Sequence, residues 1–161
     1  MNTEKSSSSA TNSNTATSVA SSGAILIRDK DNATCSLPAP ASGSGETKIY
    51  GFRESDSPCK NDTARTVQFT DLPSATKILL ADRDDAIESE DQNFWFSFVT
   101  TRKRTSTIII ELEYIDTYAV GDIIEPGLQL TGKYRKNGNA QIRDTLSGVS
   151  IRAATSPPDP A

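Results

Sequence analysis

The chain is 161 residues long, with 17 basic and 21 acidic side chains and a net charge of −4, a balance that argues against a polyanion-binding protein. It contains no histidine and two cysteines. That excludes Ser–His and Cys–His nucleophilic sites and any His-ligated metal, and it leaves a tetrahedral zinc site half empty.

Of residues 1–22, 18 are Ser, Thr, Asn or Ala, and Lys5 is the only cation. No apolar stretch of signal-peptide length follows it, so the segment does not read as a secretory signal. The compartment stays open, with secretion by another route or as a processed form among the alternatives. The segment has too little apolar surface to offset the entropy of ordering, so it reads as a disordered tail. Residues 23–154, roughly 130 in number, suffice for one compact domain. Residues 155–161 are mostly proline and small residues and read as a flexible C-terminal tail. No apolar run approaches the ~18 residues of a membrane-spanning helix, so no transmembrane segment is expected.

Within the domain, short apolar runs alternate with turn residues. Residues 24–28 (AILIR) run into turn chemistry at Asp29, Asp31 and Asn32. Residues 48–52 (KIYGF) alternate and stop at an Asp, Ser and Pro cluster. Residues 65–70 place Val67 and Phe69 on one face, and residues 76–81 (TKILLA) follow a Leu72–Pro73 corner. Residues 93–99 (NFWFSFV) set Phe94, Phe96 and Phe98 on one side. Residues 107–115 (TIIIELEYI) set Ile108, Ile110, Leu112 and Tyr114 against Glu111 and Glu113. Residues 128–134 alternate through Leu130 and Gly132, and residues 148–152 (GVSIR) close with Val149 and Ile151. The pair Asn137–Gly138 accepts positive φ at both turn positions and marks a hairpin over 133–138. Residues 84–92, the best helical candidate, are too acidic and too poor in apolar residues to pack. About eight short strands of period two predict an all-β fold, an antiparallel Greek-key β-sandwich or small barrel.

Cys35 and Cys59 lie 24 positions apart, each in a turn-like stretch. They are either one disulfide or two ordinary thiols in a reducing compartment. Residues 32–34 and 61–63 fit the N-glycosylation pattern, and residues 42–48 (SGSGETK) have the flavour of a phosphate loop without its glycine spacing or its Gly-Lys-Ser/Thr ending. The only basic run, Arg102-Lys103-Arg104, sits where a charged turn is expected between strands, and the aromatics fall on core-type faces, so no nucleic-acid partner is expected. Trp95 points opposite Phe94 and Phe96, into a second packed layer or onto a binding surface. Few aromatics and a small domain speak against an enzyme.

Residues 48–62 (KIYGFRESDSPCKND), 66–85 (TVQFTDLPSATKILLADRDD) and 147–152 (SGVSIR) resemble the βγ-crystallin-type Greek-key domains. The glycine which that family's folded hairpin wants is missing between Phe52 and Thr66. Calcium-binding members use a loop of two Asn/Asp, any two residues, Ser/Thr and Ser. Residues 84–89 and 31–36 come near it, with Glu88 and Cys35 respectively where a hydroxyl belongs. The resemblance thus implies calcium as a possible ligand, held by Asp84, Asp85, Glu88, Glu90 and Asp91, which supply the oxygens that calcium requires; a solvated acidic turn is the alternative. Domains of this type serve as calcium-binding structural proteins, hydrolase inhibitors and small toxins. The expectation is therefore a non-enzymatic binding or structural module with a protein or cell-surface target. In the alternative it is a toxin, where a strand around Ile108–Ile110 would meet a membrane.

Overall fold

The computed structural model describes residues 23–155. The tail expected over 1–22 lies outside the described residues, and of the tail expected over 155–161 only Thr155 lies within them. Twelve strands run through the described chain: β1 (Ala24–Asp29), β2 (Thr34–Pro38), β3 (Thr47–Gly51), β4 (Ala64–Thr70), β5 (Leu72–Pro73), β6 (Lys77–Ala81), β7 (Phe94–Thr100), β8 (Arg104–Thr105), β9 (Ile110–Glu111), β10 (Ile123–Glu125), β11 (Leu128–Arg135) and β12 (Gly148–Arg152). They form a four-stranded sheet in the order β9-β4-β1-β2 and a six-stranded sheet in the order β10-β11-β7-β6-β12-β3, with β5 and β8 as a separate ribbon. Every pairing is antiparallel. In the larger sheet β12-β6-β7-β11 stand in Greek-key order, the last strand returning beside the first. No helix among the described residues is long and apolar enough to cross a membrane.

The alternation read from the sequence buries one face of each sheet. Phe94, Phe96 and Phe98 of β7 meet Val67 and Phe69 of β4 and Ile25 and Ile27 of β1, all in one buried cluster. The Phe69 and Phe98 rings pack edge to face at 5.5 Å and so join the two sheets. Each such side chain removed from water contributes about 1.5–3 kcal/mol before the entropy of ordering is counted.

The strand expected over 107–115 does not form as one element. Only Ile110–Glu111 pairs with β4, and Leu112–Thr117 is a 3-10 helix. Ahead of that pair, Thr107 engages Phe69 in place of a regular ladder: the Thr107 N–H donates to the Phe69 carbonyl, and the Phe69 N–H donates to the Thr107 hydroxyl. Leu112 and Ile115 are both buried at the three-residue spacing of that helix, while Ile108 and Tyr114, expected inside, are 67% and 60% exposed.

A bulge also breaks the alternation of β11 between Leu130 and Gly132. Leu130 opposes Phe98 on the core side, but Gly132 opposes Ser97 and Tyr134 opposes Trp95, both on the outer face. Lys133 and Arg135 therefore lie across from Phe96 and Phe94, where both pair with Asp116 of the 3-10 helix and fasten it over the end of the sandwich. Asn137 and Gly138 do take positive φ (55° and 72°), but they end β11 rather than joining two paired strands. Cys35 and Cys59 form a disulfide that ties β2 to the loop after β3. The Tyr50 hydroxyl donates to the Pro38 carbonyl across the same side.

Candidate functional site

The outer face of the six-stranded sheet is where the chain leaves interior strands uncovered. Cross-strand register arranges it in three rows. Thr47, Arg152, Lys77 and Val99 form the first, and Ile49, Ser150, Leu79, Ser97 and Gly132 the second. Gly51, Gly148, Ala81, Trp95 and Tyr134 form the third. The small residues of the third row admit the backbone of the loop joining β6 to β7. A Cβ on Gly148 would stand 2.3 Å from the Arg83 carbonyl oxygen, and one on Gly51 would stand 2.8 Å from that of Asp84. The loop thus lies over one end of the face, and Glu88 from the loop walls a cleft of about 520 Å³ above the first two rows. Leu79 and Val99 supply apolar floor, and Thr47, Ser97, Thr131 and Ser150 supply hydroxyls. The Ser97 and Thr131 hydroxyls bond to each other at 2.9 Å.

The loop holds its shape through one buried amide and one guanidinium. Gln92 is buried; its side-chain nitrogen donates to the Ile87 and Ser89 carbonyls, and its oxygen accepts the Asp82 N–H. Arg83 makes a two-bond fork to Asp85 (2.9 and 2.8 Å) and reaches both oxygens of Asp91 at 2.7 Å. The Arg83 hydrogen bonds hold the Asp85 carboxyl below the usual carboxylate range, and at Asp91 the Ser89 hydroxyl and then Arg83 do the same.

Among the residues expected to hold calcium, Asp85 and Asp91 are therefore already engaged by a cation of the chain itself. Asp84 packs on Gly51, Glu88 faces the cleft, and Glu90 offers its backbone carbonyl to the Tyr134 hydroxyl. Among the described residues no three Asp, Glu, Cys or His converge at metal-ligand spacing. In the second calcium-like stretch, Asp29 accepts the Asp31 and Ala33 N–H groups, and Asn32 turns at a φ of 64°. Trp95 is half-buried on the outer face, its ring close over Gly132. It forms a shoulder beside the cleft rather than part of its floor.

A polar junction lies under the loop. The buried Ser147 hydroxyl has Asp62, Asp82 and the Thr145 carbonyl within 3.3 Å and one proton to give. Burial pushes the Asp82 carboxyl up, opposed by the Asn93 N–H and by Ser147.

Gln92, Arg83 and the cross-strand neighbours Lys77 and Arg152 were not legible as site residues in the sequence. The available signal was glycine inside strands, at 51, 132 and 148, which marks close approach of another chain segment. No protein-family model matches the chain, and neither does any curated protein or solved structure.

Proposed function

We propose that the protein is a non-enzymatic binding module, of the general kind the βγ-crystallin-type resemblance implies, whose ligand seats on the outer face of the larger sheet. The cleft carries this reading. It lies over interior strands, it is walled by a loop that the third-row glycines seat, and it combines apolar floor with hydroxyls in the manner of a small-ligand site. No imidazole or free thiolate stands ready to activate the hydroxyls, since the chain has no histidine and both cysteines are bridged. Ser150→Trp, a change on the solvent side of β12, would fill the cleft without touching the core. In 15N-resolved NMR titrations with a panel of neutral and charged saccharides, at least one ligand is expected to move the Leu79, Ser97 and Ser150 signals, and Ser150→Trp to cancel the response. Binding that survives Ser150→Trp, or a panel that moves none of these signals, counts against the reading.

One observation favours a second reading, a toxin that meets a membrane. Ile108 and Ile109 are 67% and 49% exposed beside the short edge strand β9, and adjoining apolar side chains of this kind mark contact surfaces. Leakage from dye-loaded vesicles that disappears in Ile108→Ser/Ile109→Ser would support it; intact vesicles would remove it.

A further inference from the structure

At one end of the cleft stand two cations that no carboxylate of the described residues engages in an ion pair. Arg152 lies directly across from Lys77 in the sheet register. Both are exposed on the outer face, and both line the cleft. Among the described residues neither forms an ion pair, although the chain has 21 carboxylates. The cations across from the core phenylalanines are treated differently: Lys133 and Arg135 are both bound to Asp116.

Like charges facing each other across two strands oppose sheet formation. Cations do guard edge strands against pairing with other chains, but β6 and β12 are interior strands, so that explanation does not apply. In a molecule of net charge −4, an unneutralised pair at the mouth of a cleft is a place prepared for an anion.

We propose that Lys77 and Arg152 form the anion subsite of a cleft that takes an acidic sugar, with the sugar's carboxylate on the two cations and its ring over Leu79 and Ser150. The inference rests on the cleft being the ligand face. The geometry selects the ligand in three respects. The second row lies two residues along the strands from the cation row, about 7 Å, the span of one sugar ring. That row presents Ser150 and Ser97 hydroxyls around Leu79, which suits a ring with hydroxyls at its edge and C–H groups on its face. Glu88 on the wall accepts hydrogen bonds from hydroxyls and repels a second anionic group, so the ligand carries its charge at one end.

The probes are methyl glucuronide, methyl glucoside and glucose 6-sulfate, titrated by 15N-resolved NMR into the protein and into Lys77→Gln, Arg152→Gln and the double variant. Both positions are exposed, so the fold is retained, and unchanged spectra of the free variants check this. Methyl glucuronide is expected to bind about tenfold tighter than methyl glucoside, the difference a charge-assisted hydrogen bond supplies. The double variant is expected to erase that preference, and added salt to reduce it. Acceptance of glucose 6-sulfate assigns the pair to oxyanions in general, and its rejection to carboxylates; both keep the subsite. Glucuronide and glucoside binding equally well overturns the anion subsite while leaving the cleft reading intact, as does a preference that survives the double variant. Sodium acetate that moves the same signals at the same concentration as the glucuronide overturns the sugar assignment. No response to any probe, with the cleft signals silent across the panel above, brings down both.

Discussion

At the residue scale, the positions that decide the site are those where something small or neutral is required. Gly148 is the sharpest case, because a methyl group there would meet the backbone at Arg83 and Asp84, and backbone cannot turn aside as a long side chain can. Gly148→Ala is expected to cost about 1–3 kcal/mol and to lower the melting temperature by several degrees. Amide exchange in the loop should rise at the same time; unchanged loop protection would mean the loop is not seated by the glycines. Asp82 is a second case. Its folded carboxyl holds a proton more tightly than the unfolded chain does, because burial disfavours the anion and Asp62 stands near. Between the two values the folded state binds more protons, so this group's contribution to stability falls as pH rises from the ordinary carboxylate range, ~3.9, through the raised folded value. Asp82→Asn keeps an acceptor for the Asn93 N–H and turns a donor toward the crowded Ser147 hydroxyl. The variant is expected to melt no lower than the parent at pH 7 and to lose its relative advantage below about pH 4. A variant destabilised equally at both pH values would contradict this. Asp85, Asp91 and Asp144 have the opposite sign: their carboxyls are held low, mainly by hydrogen bonds from Arg83, Ser89 and Arg65 respectively, and what they add is lost as pH falls through those low values.

At the scale of elements, the strands most legible in the sequence are those with one face wholly buried. β1, β4, β7 and β12 came through as period-two runs because each alternates against a single core. β2 escaped because only Leu37 of its five residues is buried and a proline ends it, the pattern of an edge strand. The 107–115 run misled because isoleucines that pack and isoleucines that face water are the same letters; the Thr107 bonds to Phe69 at its start and the 3-10 helix at its end leave only Ile110–Glu111 paired. Of the site, Trp95 and the acidic loop were visible as composition. The fork of Arg83 and the apposition of Lys77 with Arg152 depend on register and had no local signature. The disulfide belongs to this scale as well. It closes a loop of 24 residues between an edge strand and an irregular segment, so Cys35→Ser/Cys59→Ser is expected to lose about 3 kcal/mol, or about 10 °C in melting temperature. A shift of only a degree or two would mean the loop is held by the surrounding contacts alone.

At the scale of the whole molecule, the acidic balance is unevenly compensated. The loop that looked most in need of a metal supplies its own cation in Arg83, so melting curves in excess calcium and in chelator are expected to superimpose. A calcium-dependent rise of several degrees that vanishes in Asp84→Asn/Asp85→Asn would restore the metal reading. The Greek-key return has a different consequence, one of time. β12 is hydrogen-bonded between β6 and β3 and is the last strand of the described chain. During synthesis β6 and β7 can pair as they emerge, but β3 has no neighbour in its own sheet until residues 148–152 arrive. β1, β2 and β4 of the smaller sheet can pair as they emerge, but the larger sheet cannot be completed in chain order. Completing it needs residues 47–51 to pair with residues 148–152, a long-range contact of the kind that places folding in the millisecond-to-second class.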